Sequence, residues 1–89
     1  MLEIEWTTSF KRDFKKFKHN HDVLEDFQEV LDKLVRCQPL AERHRDHNLT
    51  GNWSDHRECH VRNDLLLVYR TDESNLILVR FNTHSEIFG

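Results

Sequence analysis

The sequence has little of the residues that most often interrupt or cross-link a chain: two glycines, one proline and two cysteines among 89 residues. It contains no apolar run close to the roughly 20 residues of a membrane-spanning helix, and residues 1–6 lack the charged-then-apolar order of a signal peptide. The two cysteines have no Cys-x-x-Cys spacing, which argues against a disulfide framework or a paired zinc knuckle. We therefore expect reduced thiols, no membrane association and a cytoplasmic protein.

The length and the apolar content predict one folded domain over residues 1–89. Hydrophobic residues make up 37% of the chain, which is enough for one packed core, and the length leaves no material for a second. The formal net charge is −3 with histidines counted as neutral, and seven histidines, a residue type that can gain a proton near neutral pH, make that charge conditional. The net charge of the whole chain therefore does not indicate a globally basic nucleic-acid-binding protein.

Charge is segregated along the chain. Residues 10–20 carry +4, from five bases and Asp13, whereas residues 22–32 carry −5. The basic segment could follow the phosphates of a nucleic acid, which the acidic segment would repel. Equally, the two segments could be solvated helix faces that pair with each other.

Hydrophobic periodicity predicts a strand, two helices and three further strands. Alternation over residues 2–6 predicts the first strand, and Phe residues at helical spacing predict a helix over residues 10–17. A second apolar stripe over residues 23–34 predicts another helix, capped by Asp22 and ended by Pro39. The remaining strands are expected at residues 56–61, 65–70 and 76–81. This β-α-α-β-β-β order and the short strand links predict an α+β fold, with an N-terminal helix hairpin packed on a mostly antiparallel sheet.

Most of the histidines lie in the second half of the chain, near predicted strand ends and loops: His44, His47, His56, His60 and His84. Metal-free RNA cleavage by the substrate's own 2′-hydroxyl needs a base, an acid and cations around the phosphate. Imidazole suits both proton transfers, and a carboxylate such as Asp64 could orient an imidazole and hold it cationic. The candidates for contact with the phosphate are Arg43, Arg45 and Arg57.

Two other interpretations of the same residues stay open. One is a zinc site built from His47, His60, His84 and Asp64. The other is a histidine-rich binding surface without catalytic activity. Strand alternation also predicts that Cys59 points to a buried face while Glu58 and His60 point outward.

Three ordered segments stand out in the second half: Asp46-His47-x-Leu49-x-Gly51-x-Trp53, Arg57-x-x-His60-Val61-x-x-Asp64-x-Leu66-Leu67-x-Tyr69, and the C-terminal Thr83-His84-x-x-Ile87-Phe88-Gly89. Together they lie within residues 46–89, about half the chain, and resemble the YafQ branch of the RelE-like toxin superfamily. The resemblance implies a ribosome-dependent mRNA endonuclease, the toxin of a type II toxin-antitoxin system. It would enter the decoding site, cut translated mRNA and inhibit translation, without a metal or cofactor. The implied partners are the ribosome, mRNA and a cognate antitoxin in an oligomeric complex.

The resemblance also implies roles for individual residues. His47 and His60 match catalytic histidines and would supply the base and orienting functions, with His84 as the acid or a phosphate ligand. Asp64 matches the aspartate that orients and polarises. Phe88 matches an aromatic residue near the substrate base, although a C-terminal aromatic residue equally suits an open edge of the core. Which histidine is the base and which the acid is not determined by this resemblance.

Other prominent residues are predicted to be structural. Trp53 and Tyr69 suit core or sheet packing, and Gly51 suits a turn with an unusual backbone angle. His44 and His56 are expected at the surface. Two rival functions accompany the main hypothesis: a gyrase-targeting toxin of the same fold, and a non-catalytic binding module.

Overall fold

A five-stranded mixed sheet organises the chain, and the computed structural model describes all residues 1–89. The strands are β1 (Glu3–Trp6), β2 (His47–Asn48), β3 (Arg57–Arg62), β4 (Leu65–Thr71) and β5 (Asn75–Asn82). The helices are α1 (Thr8–Phe14), α2 (His21–Val35) and α3 (His84–Phe88). The strand order is β1-β5-β4-β3-β2, with β1 parallel to β5 and all other pairs antiparallel. The predicted α+β class is confirmed, and β2 and α3 add to the predicted elements.

The second helix begins and ends at slightly different residues from those predicted. The Asn20 side chain, not that of Asp22, caps α2, because Asn20 Oδ1 accepts a hydrogen bond from the Val23 N–H at 3.2 Å. The helix ends before Pro39, since Cys37 adopts a left-handed backbone with φ of 57°. A three-residue 3₁₀ turn, Lys15–Phe17, continues α1 toward this cap. None of these helices is long and apolar enough to cross a bilayer.

The main core lies between α1, α2 and one face of the sheet. Its fully buried side chains include Phe10, Leu67, Leu78 and Phe81. Cys59 is also fully buried in this cluster, as alternation predicts, and burial raises the pKa of its thiol. The predicted apolar stripes of both helices therefore cover one face of β3, β4 and β5.

The opposite face of the sheet is only partly covered. Leu66 and Val68 form a small second cluster there with Ile87 of α3, and Trp53 and Phe88 pack against it. The short helix α3 therefore covers one part of this face. The rest of the face is available for a site.

The buried carboxylate of Asp13 joins α1 to β5 beyond the end of β1. It accepts hydrogen bonds from Arg80 Nε at 2.6 Å and Nη2 at 3.1 Å, and from the Phe81 N–H at 3.0 Å. The Asn82 amide adds a further bond at 3.2 Å. Burial alone would raise the pKa of Asp13, but these hydrogen bonds and the guanidinium outweigh it and lower the pKa below its usual value.

The acidic face of α2 pairs with arginines from the second half of the chain. Arg43 Nη2 lies 3.1 Å from Glu29 Oε1, and Arg62 Nη1 lies 3.1 Å from Asp26 Oδ2. The lysines of α1 take part in none of the ion pairs. Of the two alternatives for these segments, solvated helix faces fit the exposure of the bases in residues 11–18, but the two faces form no ion pair with each other.

Candidate active site

Strand pairing brings two of the predicted histidines to one carboxylate. Glu58 and His60 alternate along β3 on the face away from the main core, and the register of β2 places His47 directly opposite Glu58. Glu58 Oε1 lies 3.7 Å from His47 Nε2 and 3.6 Å from His60 Nε2. These distances are suitable for ion pairs once an imidazole carries a second proton.

Backbone carbonyls determine which nitrogen of each imidazole carries its proton. His47 Nδ1 lies 2.6 Å from the Arg45 carbonyl oxygen, and His60 Nδ1 lies 3.2 Å from that of Asn63. A carbonyl only accepts, so each Nδ1 must be the N–H donor. In the neutral ring this leaves the Nε2 lone pair of both histidines on the side of Glu58, where it is available to take a proton.

Glu58 is the functional candidate that the sequence did not reveal. Its side chain points away from the main core, as alternation predicts, but the residue is only 6% exposed instead of open to solvent. The strand β2, which the sequence did not predict, places His47 directly opposite it on the neighbouring strand. A carboxylate two residues before a candidate histidine on a strand shares its face, and this spacing was the available signal.

A cavity of about 320 Å³ lies in front of this carboxylate. Its walls are His47, Leu49, Thr50, Trp53, Glu58, His84 and Phe88. The His84 and Phe88 rings come from α3, with centroids 5.1 Å apart, and Phe88 meets Trp53 edge-on at 5.5 Å. The fold therefore brings His84 and Phe88 to the same cavity as His47 and Glu58, with the exposed His84 at its rim.

Asp64 reaches this group through the backbone of α3. Its Oδ1 accepts a hydrogen bond from the His84 N–H at 3.3 Å, while Thr83 Oγ1 caps the same helix by accepting from the Glu86 N–H at 3.4 Å. Asp64 forms no hydrogen bond or ion pair with an imidazole ring. The structure thus differs from the expected contact, because the β3–β4 turn directs this carboxylate to the start of α3.

Arg57 is held apart from the imidazoles, on the face of β3 that also carries Cys59. Its Nε donates to Asp46 at 3.2 Å and its Nη1 to Asn48 at 2.6 Å. The Tyr69 hydroxyl donates to the same Asp46 oxygen at 2.6 Å, and Tyr69 is buried as predicted. The structure therefore places Arg57 in a structural ion pair and not beside the cavity.

Arg43 and Arg45 line a second cavity, which includes His60. Arg43 also forms the ion pair with Glu29 described above, while Arg45 forms none. Arg45 has a left-handed backbone with φ of 46°, and its carbonyl oxygen is the acceptor for His47. These two candidates for phosphate contact are therefore adjacent to the histidines in the fold.

Two histidines expected at the surface are more buried than predicted. His44 is only 4% exposed, and its Nδ1 lies 2.7 Å from the His60 carbonyl oxygen, to which it donates. His56 is half-buried, with its ring edge-on to Trp53 at 5.2 Å. Trp53 packs on the second cluster as expected and also lines the 320 Å³ cavity, while Gly51 has the predicted positive φ, of 64°.

The side chains do not fit the zinc interpretation. The structure contains no group of three or more histidine, cysteine, aspartate or glutamate side chains that could hold a metal ion. Asp64, one of the proposed ligands, accepts a hydrogen bond from the backbone of α3 and does not lie between the imidazoles. We therefore derive no chemistry from a metal at this site.

The similarity to known proteins covers nearly the whole chain. The family model described as a bacterial toxin of type II toxin-antitoxin system, YafQ, matches residues 2–89. This chain belongs to the YafQ toxin family. The mRNA interferase toxin YafQ of Escherichia coli K12 is 28% identical over 88 residues, covering 98% of this chain and 96% of the relative.

Solved structures agree with this membership. A metal-bound toxin from Helicobacter pylori has 43% sequence identity and a TM-score of 0.90, covering 99% of this chain and 100% of that chain. A chain of the E. coli DinJ-YafQ toxin-antitoxin complex has 28% identity and a TM-score of 0.86, covering 99% of this chain and 98% of its own length. The family expected from the three sequence segments is therefore confirmed.

Proposed function

We propose that this protein is an endoribonuclease that cleaves translated mRNA on the ribosome by metal-free acid–base catalysis and so inhibits translation. The observation that carries the proposal is the Glu58 carboxylate between the Nε2 atoms of His47 and His60, beside a cavity whose rim carries His84. The E. coli relative named an mRNA interferase supports the same activity.

In the first step, the Nε2 of His47 or His60 removes the proton of the substrate's 2′-hydroxyl. The 2′-oxygen then attacks the adjacent phosphorus atom. Glu58 Oε1 lies 3.7 Å and 3.6 Å from these nitrogens, so its negative charge compensates the imidazolium that proton transfer creates. Because both lone pairs face the carboxylate before the reaction, this stabilisation is stronger after the transfer than before it.

In the second step, the bond between phosphorus and the 5′-oxygen breaks. We assign His84 as the acid that gives this oxygen its proton, since the exposed His84 lies at the rim of the cavity that Glu58 and His47 line. The products are a 2′,3′-cyclic phosphate and a 5′-hydroxyl. The proton taken from the 2′-hydroxyl remains on the base histidine and passes to solvent.

Two further residues support His84 in this proposal. Asp64 positions it by accepting a hydrogen bond from its backbone N–H at 3.3 Å. Phe88, whose ring lies beside that of His84, offers a face on which a substrate base can stack. We therefore treat Asp64 as a positioning residue and Phe88 as a substrate-binding residue.

The small size of the site supports the proposed dependence on the ribosome. A cavity of about 320 Å³ accommodates little more than one nucleotide, and His84 is exposed at its rim. In-line attack requires the 2′-oxygen, the phosphorus and the leaving oxygen to be aligned. We propose that the ribosomal decoding site holds the message in this alignment.

We also propose that a cognate antitoxin restrains this activity in an oligomeric toxin-antitoxin complex. The E. coli relative is known in a toxin-antitoxin complex with DinJ, and its YafQ chain has the present fold. Co-expression with the product of the adjacent antitoxin gene should restore growth and yield a co-purifying complex. Growth arrest that persists with an antitoxin bound would contradict this part of the proposal.

Cleavage of a defined message in a translation system tests the proposed function. We expect cuts only when ribosomes are present, with a cyclic phosphate and a 5′-hydroxyl at the new ends. His84→Ala should abolish cleavage, whereas His19→Ala in the exposed turn between the helices should leave it unchanged. Equal cutting of naked RNA, or no cutting in either condition, would refute the proposal.

The rival functions give different results in the same experiments. A gyrase-targeting toxin would cause a DNA-damage response without message cleavage. A non-catalytic binding module would keep its binding and its effect on growth after His47, His60 and His84 are replaced together. The proposed nuclease loses its effect on growth in that triple variant.

A further inference from the structure

The second cavity is strongly basic and adjoins the catalytic group. It has a volume of about 240 Å³ and is lined by Arg43, His44, Arg45, His60, Val61, Arg62 and Asn63. We call it the arginine cavity. Its lining contains three guanidinium groups and only one apolar residue. This composition is typical of a site for an anion and not of a pocket for an apolar ligand.

Two hydrogen bonds connect the arginine cavity to the catalytic histidines. The Arg45 carbonyl accepts from His47 Nδ1 at 2.6 Å, and His44 Nδ1 donates to the His60 carbonyl at 2.7 Å. His60 belongs to both sites, because it lines the arginine cavity and its Nε2 lies 3.6 Å from Glu58 Oε1. The arginine cavity therefore adjoins the histidines that act on the message in the proposed function.

The third arginine of this cavity, Arg62, follows an irregularity in strand register. Pairing between β3 and β4 is irregular between His60 and Arg62, so Arg62 lies opposite Leu65 and extends toward α2. There it meets Asp26 at 3.1 Å.

The arginines keep donors free for a ligand. Arg45 forms no ion pair, and the pairs of Arg43 and Arg62 with α2 are exposed, with 66% and 44% of the two arginine side chains accessible. Exposed pairs of this kind contribute little energy and exchange readily. Each guanidinium has five N–H donors, of which the carboxylate engages a few at most.

Resting on the proposed function, we propose that the arginine cavity binds a phosphodiester group of the message next to the one that is cleaved. Bidentate arginine contacts would hold the backbone while the histidines act on the neighbouring linkage. The cavity would thus fix the register of the strand and contribute to message binding through charge.

The test uses the full-length protein and ribosomes programmed with a message that is 2′-O-methylated in the target codon, so that the attacking oxygen is blocked. Binding is measured across a salt series for the parent, for Arg45→Gln/Arg62→Gln and for Arg45→Lys. The control is Arg36→Gln, because Arg36 is exposed at the end of α2 and lines none of the three cavities. Thermal unfolding of each variant verifies that it is folded.

We expect the double variant to bind about tenfold more weakly, in line with the loss of charge-assisted contacts. The slope of log affinity against log salt should decrease by about 0.7 for one lost phosphate contact. Arg45→Lys should keep the salt slope of the parent, since it keeps a positive charge, but should lose part of the affinity because an ammonium group cannot make the bidentate contact. Arg36→Gln should behave as the parent.

Two results would overturn the inference. The first is unchanged affinity and salt slope in the folded double variant. The second is equal weakening on ribosomes that carry no message, which would assign the phosphate to ribosomal RNA. A parent protein that fails to cut an unmodified message refutes the proposed function itself, whereas normal cutting with unaltered binding of the double variant refutes only the role of the cavity.

Discussion

Glu58 and His47 face each other across β2 and β3, with Glu58 Oε1 3.7 Å from His47 Nε2. The carboxylate belongs to a six-residue strand in the interior of the sheet, whereas the imidazole belongs to a two-residue strand at its edge. The carboxylate therefore lies on the longer, interior strand of the two, and the Nε2 atoms of His47 and His60 both lie within 3.7 Å of it. This arrangement gives Glu58 a role that can be tested separately from those of the histidines.

Glu58→Gln should reduce the rate of message cleavage by about 100-fold, within the usual contribution of acid–base groups. The substitution keeps the size of the side chain and removes the charge that compensates the imidazolium. Cleavage rates on saturating programmed ribosomes measure the effect, and thermal unfolding should change little. Glu25→Gln on the exposed face of α2 is the matched control. A cleavage rate equal to that of the parent would exclude Glu58 from the mechanism.

Two substitutions of Asp64 distinguish positioning from direct catalysis. Asp64→Asn keeps a side-chain oxygen that can accept from the His84 N–H, so we expect it to keep most of the cleavage rate. Asp64→Ala removes the acceptor and should lower the rate about tenfold, because a lost hydrogen bond of about 1 kcal/mol misplaces the start of α3. A carboxylate that acted directly would lose its function in both variants. Equal inactivity of Asn and Ala would therefore contradict the positioning role.

The sequence predicted the main elements because their signals are local. The stripes of the two helices and the apolar runs of β4 and β5 need only periodicity to be recognised, and their short links define the antiparallel order. The predicted cap of α2 was Asp22 and the observed cap is Asn20. The two lie two positions apart, and both residue types are good helix caps. Such boundary shifts leave the packing unchanged.

The site was harder to predict because its contacts depend on register. His47 meets Glu58 only through β2, which is two residues long and has no periodic signal. The bond between Asp64 and the His84 backbone likewise depends on how a turn meets a later helix. The ordered segments therefore indicated which histidines come together, but not the buried carboxylate that lies between two of them.

Substitutions of two adjacent residues of α3 should affect different properties. Ile87 should matter for stability, and Phe88 for contact with the substrate. Ile87 is 8% exposed and packs with Leu66 and Val68, so Ile87→Ala should lower stability by about 2 kcal/mol with little effect on the affinity of folded protein for programmed ribosomes. Phe88→Ala should instead weaken that affinity about tenfold, because stacking of one base on an aromatic ring contributes about 1–3 kcal/mol. Urea unfolding and ribosome binding measure the two effects. A large stability loss in Phe88→Ala with unchanged binding would mean that Phe88 only covers the core edge.

The Asp13–Arg80 pair predicts how stability depends on pH. The pKa of Asp13 is lower in the folded protein than its usual value of 3.8, so its stabilising effect is present above that value and is lost as the pH falls through the folded pKa. At pH 7, Asp13→Asn should cost about 3 kcal/mol, because it leaves the largely buried Arg80 without its charge partner. The exposed control Asp55→Asn should cost almost nothing. Urea unfolding at pH 7 and near pH 2.5 should show the difference between parent and Asp13→Asn shrinking in acid, whereas an equal difference at both pH values would show that the lost charge is not its cause.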